Sequence, residues 1–315
     1  MSHDWPKDIP RPGDSIDLNY LRPLVAAQDK DALSEALVSL VSDNQLTVAS
    51  LSAFIEDGAK NGFKLGVPDS FSGKHHSTNY KSANSTFREQ THNSLMKRLA
   101  KSKTSGPYQW SGNVQDLPFE RCTINPMGAV PYKYEQDRAR ACDDAIINDY
   151  ITAPYFRMPA NQQIRDLAFL CCSWYKSDVA DAFLSMAIAT SDLPFMLFTW
   201  YHPDDTTFSG TDQDYLYVHT HGNFGPRPWP YSFTMLMLYV NLAAKTLGID
   251  IPAAFIDDNV HTGRAKHLEQ QAIPYHMHLQ RAGLKDKAAK RELLIYMGEI
   301  LGKYYNSISM TISIP

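Results

Sequence analysis

The chain has 315 residues, 43% hydrophobic and 20% charged, with a formal charge of −4. Those values fit a folded globular protein with room for two lobes or one large two-lobed unit, and they exclude a disordered, collagen-like or coiled-coil chain. No apolar stretch approaches the roughly 20 residues a membrane-spanning helix needs, the opening Met-Ser-His-Asp-Trp-Pro-Lys-Asp has no signal-peptide core, and Cys122, Cys142, Cys171 and Cys172 show no CxxC spacing. A reducing, cytoplasmic or nuclear setting with no membrane partner is expected.

Residues 1–20 are polar and carry prolines. Helical spacing begins at Leu33, Ala36, Leu37, Leu40 and Val41, and a second helix is predicted from Leu46 to Ala59, ending near Gly58 and Gly62. Residues 66–86 are rich in Ser, Asn, His and Gly and predict a loop. A basic helix follows over 87–103, and Pro107, Pro118, Pro126 and Pro131 keep the next segment extended. An apolar run leads to Lys176-Ser177-Asp178, and Ala180 to Ile188 has helical spacing, so a strand feeding a helix is expected there. Phe195–Tyr201 and Tyr215–Thr220 predict a hairpin across an acidic loop. Tyr231 to Leu247 predicts a long apolar helix closed by Gly248, and Ile249 to Ile256 a buried strand ending at Asp257-Asp258-Asn259.

Two predicted strands therefore end on aspartates. Transferring a nucleotidyl group means stabilising charge on phosphorus and on the attacking and leaving oxygens, which two Mg²⁺ ions about 3.5–4 Å apart accomplish. Mg²⁺ takes carboxylate oxygens, and adjacent carboxylates at a buried strand end repel one another until a cation relieves them. Asp178, Asp257 and Asp258 are the candidate ligands. His75-His76 and His276-x-His278 have no acidic or cysteine partner at ligand spacing and are not read as zinc sites. The negative total is unfavourable for a phosphate-bearing partner, but Arg88 to Lys103 and Arg264 to Arg291 are locally basic.

In order, Tyr175-Lys-Ser-Asp178-Val-Ala-Asp181-Ala-Phe183 resembles the first palm motif of reverse transcriptases, Phe224-Gly225-Pro-Arg227-Pro-Trp-Pro230-Tyr-Ser-Phe233 their template-positioning motif, and Phe255-Ile-Asp257-Asp258 their YxDD box. Upstream, Lys133 and Arg140 keep the spacing of the fingers residues that bind triphosphate. Downstream, Tyr296-Met-Gly298 is similar to the primer grip. The resemblance covers roughly residues 45–315. Gly62-Phe63-Lys-Leu-Gly66, Gly106-Pro107-Tyr108 and the ending Met310 to Pro315 are closest to DIRS-like, tyrosine-recombinase retroelements.

The resemblance implies an α+β right-hand polymerase with fingers and palm, an antiparallel palm sheet backed by helices, and a thumb largely absent. Residues 1–45 would be an N-terminal extension with a helix, 46–165 a fingers-like region and 166–315 the palm with primer grip. It implies an RNA-directed DNA polymerase, a nucleotidyltransferase that uses two Mg²⁺ ions, or Mn²⁺ in their place. Its partners would be an RNA or DNA template, a primer and dNTPs, with any thumb, RNase H or recombinase supplied by another polypeptide or segment. Asp178, Asp257 and Asp258 would be catalytic metal ligands; Lys133, Arg140, Asp181 and Ala182 would contact triphosphate, Phe183 the sugar, and Phe224 and Gly225 the nascent base pair. One of Lys285, Lys287 or Lys290 would protonate pyrophosphate. The chain departs from the family where Gly222-Asn223 replaces a Leu-Pro opening and where Pro226 and Pro228 are added. The alternatives are a catalytically weak or inactive retroelement-derived nucleic-acid-binding protein, and a palm-type cyclase or primase. The latter leaves Phe224-Gly225 and Tyr296-Met-Gly298 unexplained.

Overall fold

The computed structural model describes residues 16–28, 46–132, 135, 137–154, 173–210, 215–249, 253–300, 303–306 and 308–313. In chain order these hold α1 (Leu18–Ala26), α2 (Val48–Asn61), β1 (Lys74–His76), a π turn (Ser82–Thr86), α3 (Arg88–Ala100), β2 (Thr104–Gln109), β3 (Cys122–Ile124), β4 (Met127–Pro131) and β5 (Ala139–Asp143). There follow β6 (Ser173–Ala180), β7 (Leu197–Trp200), β8 (Tyr215–His219), α4 (Pro228–Thr246), β9 (Ala253–Phe255), β10 (Asp258–Thr262) and α5 (Ala265–Arg281). The last are β11 (Lys285–Asp286), β12 (Glu292–Ile295), β13 (Met297–Ile300), β14 (Lys303–Asn306) and β15 (Thr311–Ser313). Among the described residues no helix is long and apolar enough to cross a membrane. The expected helix at Leu33–Val41 and the residue Lys133 lie outside the described residues.

The chain divides into two compact units, one of Met1–Gly13, Asn61–Ala153 and Phe183–Trp229, the other of Asp14–Lys60, Pro154–Ala182 and Pro230–Pro315. The first contains a five-stranded sheet in the order β1-β3-β7-β8-β2 and the hairpin β4-β5. Its core gathers Leu95 from α3, Met127 and Ala129 from β4, Ala141 from β5, and Phe198, Trp200, Tyr201 and Tyr217 from the expected β7-β8 hairpin. Alternating apolar residues on short strands leave one face to bury, and α3 covers it with Leu95.

In the second unit the sheet runs β11-β6-β10-β9, with β12 pairing the opposite end of β6, and every one of these pairings is antiparallel. α4 is apolar on all sides, and every residue from Ser232 to Ala244 is buried, the pattern of a core helix. It begins three residues before the apolar run because Pro228 suits a helix's first turn. It ends as predicted at Gly248, which adopts φ +73° while the Ile249 amide returns to the Ala244 carbonyl at 3.1 Å.

Two expectations fail. Residues 66–86 contain β1 and the π turn: His75 and His76 pair in parallel with Thr123 and Ile124, a partner their composition does not signal. The segment Ala180 to Ile188 is not a helix beyond the single 3₁₀ turn Phe183–Ser185. The amide of Ile188 donates to Thr220, that of Ala189 to Phe63, and that of Phe63 to Ala187. With the backbone committed to lateral bonds, Met186 and Ile188 are buried without helix.

Phe198 is fully buried and stacks on Tyr217 with centroids 5.4 Å apart. Phe198→Ala is expected to cost about 3–5 kcal/mol in urea unfolding, whereas Val130→Ala, at a side chain 54% exposed, should stay within about 0.5 kcal/mol.

Candidate functional site

β10 begins at Asp258, which lies directly opposite Asp178 of β6 in the antiparallel register. Residues so placed have Cβ atoms about 4.5–5.5 Å apart on one face of the sheet, and like charges there repel. β9 and β10 form a tight hairpin in which Phe255 pairs with Asp258, so Ile256 and Asp257 make a two-residue turn. Ile256 holds φ +55°, a left-handed conformation costly for a β-branched residue. The turn is tied to β6 by the Val179 amide, which donates to the Asp257 carbonyl at 2.9 Å. Register and turn together bring all three predicted aspartates to one end of β6.

The charge balance at this end is uneven. Asp178 is almost fully buried, and its carboxylate accepts from the ammonium of Lys290. The Asp178 carbonyl accepts from the Lys287 amide at 2.8 Å, which fixes the following turn and aims Lys290 inward. Burial pushes the Asp258 carboxyl up to about 6, and the neighbouring Asp257 and Asp178 add to the rise. Burial opposes the charge on Lys290, but Asp178, then Asp258 and Asp257, outweigh it and raise its pKa. Lys176, two residues before Asp178 and so on the same face, pairs with Glu292 at 3.0 Å and donates to the Glu299 carbonyl at 2.6 Å. Of the three candidate proton donors, Lys290 is the one whose ammonium meets the aspartates; Lys285 is bound into β11 opposite Ala180 and Lys287 contributes its amide.

Could these residues hold divalent cations? Among the described residues no three His, Cys, Asp or Glu side chains are already gathered as a ligand set. The donor chemistry nevertheless fits. The three groups are hard carboxylates of the kind Mg²⁺ takes, burial and then the neighbouring Asp257 and Asp178 raise the Asp258 carboxyl, and the Lys290 ammonium stands on Asp178 as a cation would.

The other predicted residues divide between the units. Asp181 is exposed, with φ +55°, and directly precedes Ala182 in the unit that carries the aspartates. In the first unit, Phe224 is 41% exposed; it meets Phe183 edge to face at 5.5 Å, and the Arg140 guanidinium lies 5.6 Å from its ring. Arg140 also sits over Tyr132 at 4.5 Å. Gly225 has φ +136°, and a Cβ there would fall 2.1 Å from the Asp143 carbonyl oxygen, so no other residue fits this approach. Arg98, within the expected basic track, is instead buried, with its guanidinium toward the Ala141 carbonyl at 3.4 Å.

No protein-family model matches the sequence, and no curated protein matches it. Solved structures do. A foamy viral protease-reverse transcriptase of the form designated dRH, in complex with double-stranded DNA, is 14% identical with a TM-score of 0.54, covering 91% of this chain and 47% of that one. A second such complex with double-stranded DNA is 15% identical at a TM-score of 0.53, with coverages of 91% and 56%. A complex with an RNA/DNA hybrid is 14% identical at 0.54, with coverages of 88% and 35%. The chain thus spans about half or less of those chains. The likeness shows the fold: α+β, of the reverse-transcriptase kind.

Because the folded pKa of Asp258 lies above its ordinary value of 3.8, the metal-free fold is favoured while that carboxyl keeps its proton. That stability is lost as pH rises from about 4 through 6. Asp258→Asn is therefore expected to be more stable than the parent at pH 7.5, by about 1–2 kcal/mol after discounting for solvent exposure, and no different at pH 4. Denaturant titrations in EDTA at the two pH values check this, and an equal difference at both would contradict it.

Proposed function

We propose that the chain is an RNA-directed DNA polymerase that adds dNTPs to a primer 3′ end by a two-metal mechanism, with Asp178, Asp257 and Asp258 as the metal ligands. The observation that carries the reading is the placement of Asp258 opposite Asp178 with Asp257 in the adjoining turn. Mg²⁺ held by Asp178, Asp257 and Asp258 would supply the charge that steadies the attacking 3′-oxygen, the α-phosphorus and the leaving pyrophosphate.

The residues of this chain take the remaining roles. In the reaction the primer 3′-hydroxyl gives its proton to water and its oxygen bonds to the α-phosphorus as the bond to the bridging oxygen of pyrophosphate breaks, and the leaving oxygen needs a proton. Lys290 is the donor we assign: its ammonium keeps its proton because of the aspartates around it, and it lies at Asp178, where it would hold that proton for the leaving group. Arg140 and Lys133 neutralise the triphosphate, the guanidinium bidentately, and Asp181 and Ala182 offer it backbone amides. Phe183 excludes a 2′-hydroxyl, and Phe224 and Gly225 face the nascent base pair. The DIRS-like retroelement grouping is part of the same reading and rests on Gly62–Gly66, Gly106–Tyr108 and the segment from Met310. The net charge of −4 favours a second reading, a non-catalytic nucleic-acid-binding descendant.

Primer extension on RNA and DNA templates, with Mg²⁺ or Mn²⁺, separates the two. Asp178→Asn and Asp257→Asn are expected to abolish extension while primer-template affinity is unchanged; extension at the parental rate by either variant sinks the assignment. Lys290→Met should lower the single-turnover rate by about 10²–10⁴-fold, with Lys285→Met close to the parent. Equal losses from both lysines would reject the selection of Lys290.

A further inference from the structure

The segment that carries Phe224 and Gly225 opens on Gly222-Asn223, where the resemblance leads one to expect Leu-Pro. What replaces that stiffness lies under the segment. Asn223 is buried, and its amide donates to Asp143 Oδ2 at 2.6 Å. His219 is fully buried, with Nε2 3.1 Å from the same oxygen, though off the line a hydrogen bond needs. Its Nδ1 faces Thr104 Oγ1 at 3.1 Å, and its ring stacks on Phe198 at 4.3 Å. Asp143 also grips the segment through its backbone: its amide donates to the Phe224 carbonyl at 2.9 Å, and its carbonyl is the atom Gly225 approaches.

A buried carboxylate and imidazole are costly unless their partners are placed well. Here Asp143 Oδ1 and Asn223 Oδ1 are buried without a hydrogen-bond partner. Apolar side chains would fill the same space more cheaply, so stability alone does not account for the set. It does fix one thing, the height and direction of residues 223–225 above the ends of β5 and β8. From there Phe224 reaches Phe183 and the Arg140 guanidinium.

We propose that Asp143, His219 and Asn223 form a buried positioning network for Phe224, setting the ring that meets the incoming nucleotide. The assignment of Phe224 to the nucleotide rests on the polymerase reading; the mechanical claim does not. The network takes the place of the Leu-Pro opening: a side-chain amide tied to a buried carboxylate holds what a proline ring would otherwise stiffen. Asp143, His219 and Asn223 touch no substrate and act through Phe224.

The test uses the full chain with 4-fluorophenylalanine at position 224, read by fluorine NMR. The parent is expected to give one narrow resonance, and Asn223→Ala to broaden it and move it toward the free amino acid while thermal melting shows the fold retained. Asp143→Asn keeps the shape and an acceptor for Asn223 and should move it less. An unchanged resonance in folded Asn223→Ala overturns the proposal. In primer extension, Asn223→Ala should raise the KM for dNTP about tenfold, within the range that a displaced contact costs, with kcat little changed. In a Phe224→Ala background it should add nothing, and an additive loss there also overturns the positioning role. A parent that extends no primer defeats the polymerase reading instead, and the fluorine signal then decides the positioning claim by itself.

Discussion

Asp178 and Asp258 face one another across an antiparallel pair with their charges of one sign, and the geometry of the second unit is arranged around that unfavourable contact. β6 is held on both sides, by β10 along one edge and by β11 and β12 along the other, so the two carboxylates have no freedom to separate by slipping register. The β9-β10 turn adds a third carboxylate and accepts a β-branched residue at φ +55° to do so. A sheet that keeps such a contact and such a turn stores free energy that a cation can recover. Lys290 recovers part of it by its ion pair with Asp178, while burial first and then Asp257 and Asp178 keep the Asp258 carboxyl raised.

Other buried aspartates in the chain are treated differently. Asp286 is met by His276 at 3.0 Å and by Arg291. Asp192 accepts from the Leu65 amide at 2.6 Å and from the Ser191 hydroxyl at 3.0 Å. Asp143 has Asn223 and His219. In each case the partners of the carboxylate come from the protein itself. Asp258 is placed otherwise: beyond its burial, the carboxylates of Asp257 and Asp178 raise its pKa, while Lys290 and Lys176 lower it. The distinction rests on balance and not on acidity.

Much of this was readable along the chain, because the signals were local. An apolar β-branched run ending in Asp257-Asp258 marks a strand end, the β7-β8 hairpin shows its alternating aromatics, and α4 announces both its apolar length and its glycine stop. The features that escaped depend on partners distant in sequence. Nothing in His75-His76 signals a parallel strand against Thr123-Ile124, and the backbone of 186–189 bonds instead to Phe63, Thr220 and Gly222, partners the local spacing cannot show. What sets Lys290 apart from Lys285 and Lys287 is pairing that the sequence does not show: β11 takes Lys285 into the sheet edge, the Lys287 amide is spent on the Asp178 carbonyl, and the 3₁₀ turn at Ala288–Lys290 brings the third lysine to Asp178.

The same reasoning explains why Gly222-Asn223 reads as a defect in sequence and as a device in structure. A motif is a record of one way to hold a backbone, and Leu-Pro holds it by restricting φ. Asn223 has no such restriction and would leave the segment loose in isolation. Its amide, however, lies 2.6 Å from a carboxylate that comes from β5, 80 residues earlier in the chain. Asp143 is in turn placed by the β4-β5 register, where it pairs with Met127, and His219 by the β7-β8 hairpin that packs the core of the first unit. The rigidity of the segment has therefore moved from its own backbone into the tertiary structure beneath it. Its geometry consequently depends on residues that no local comparison of the motif would include.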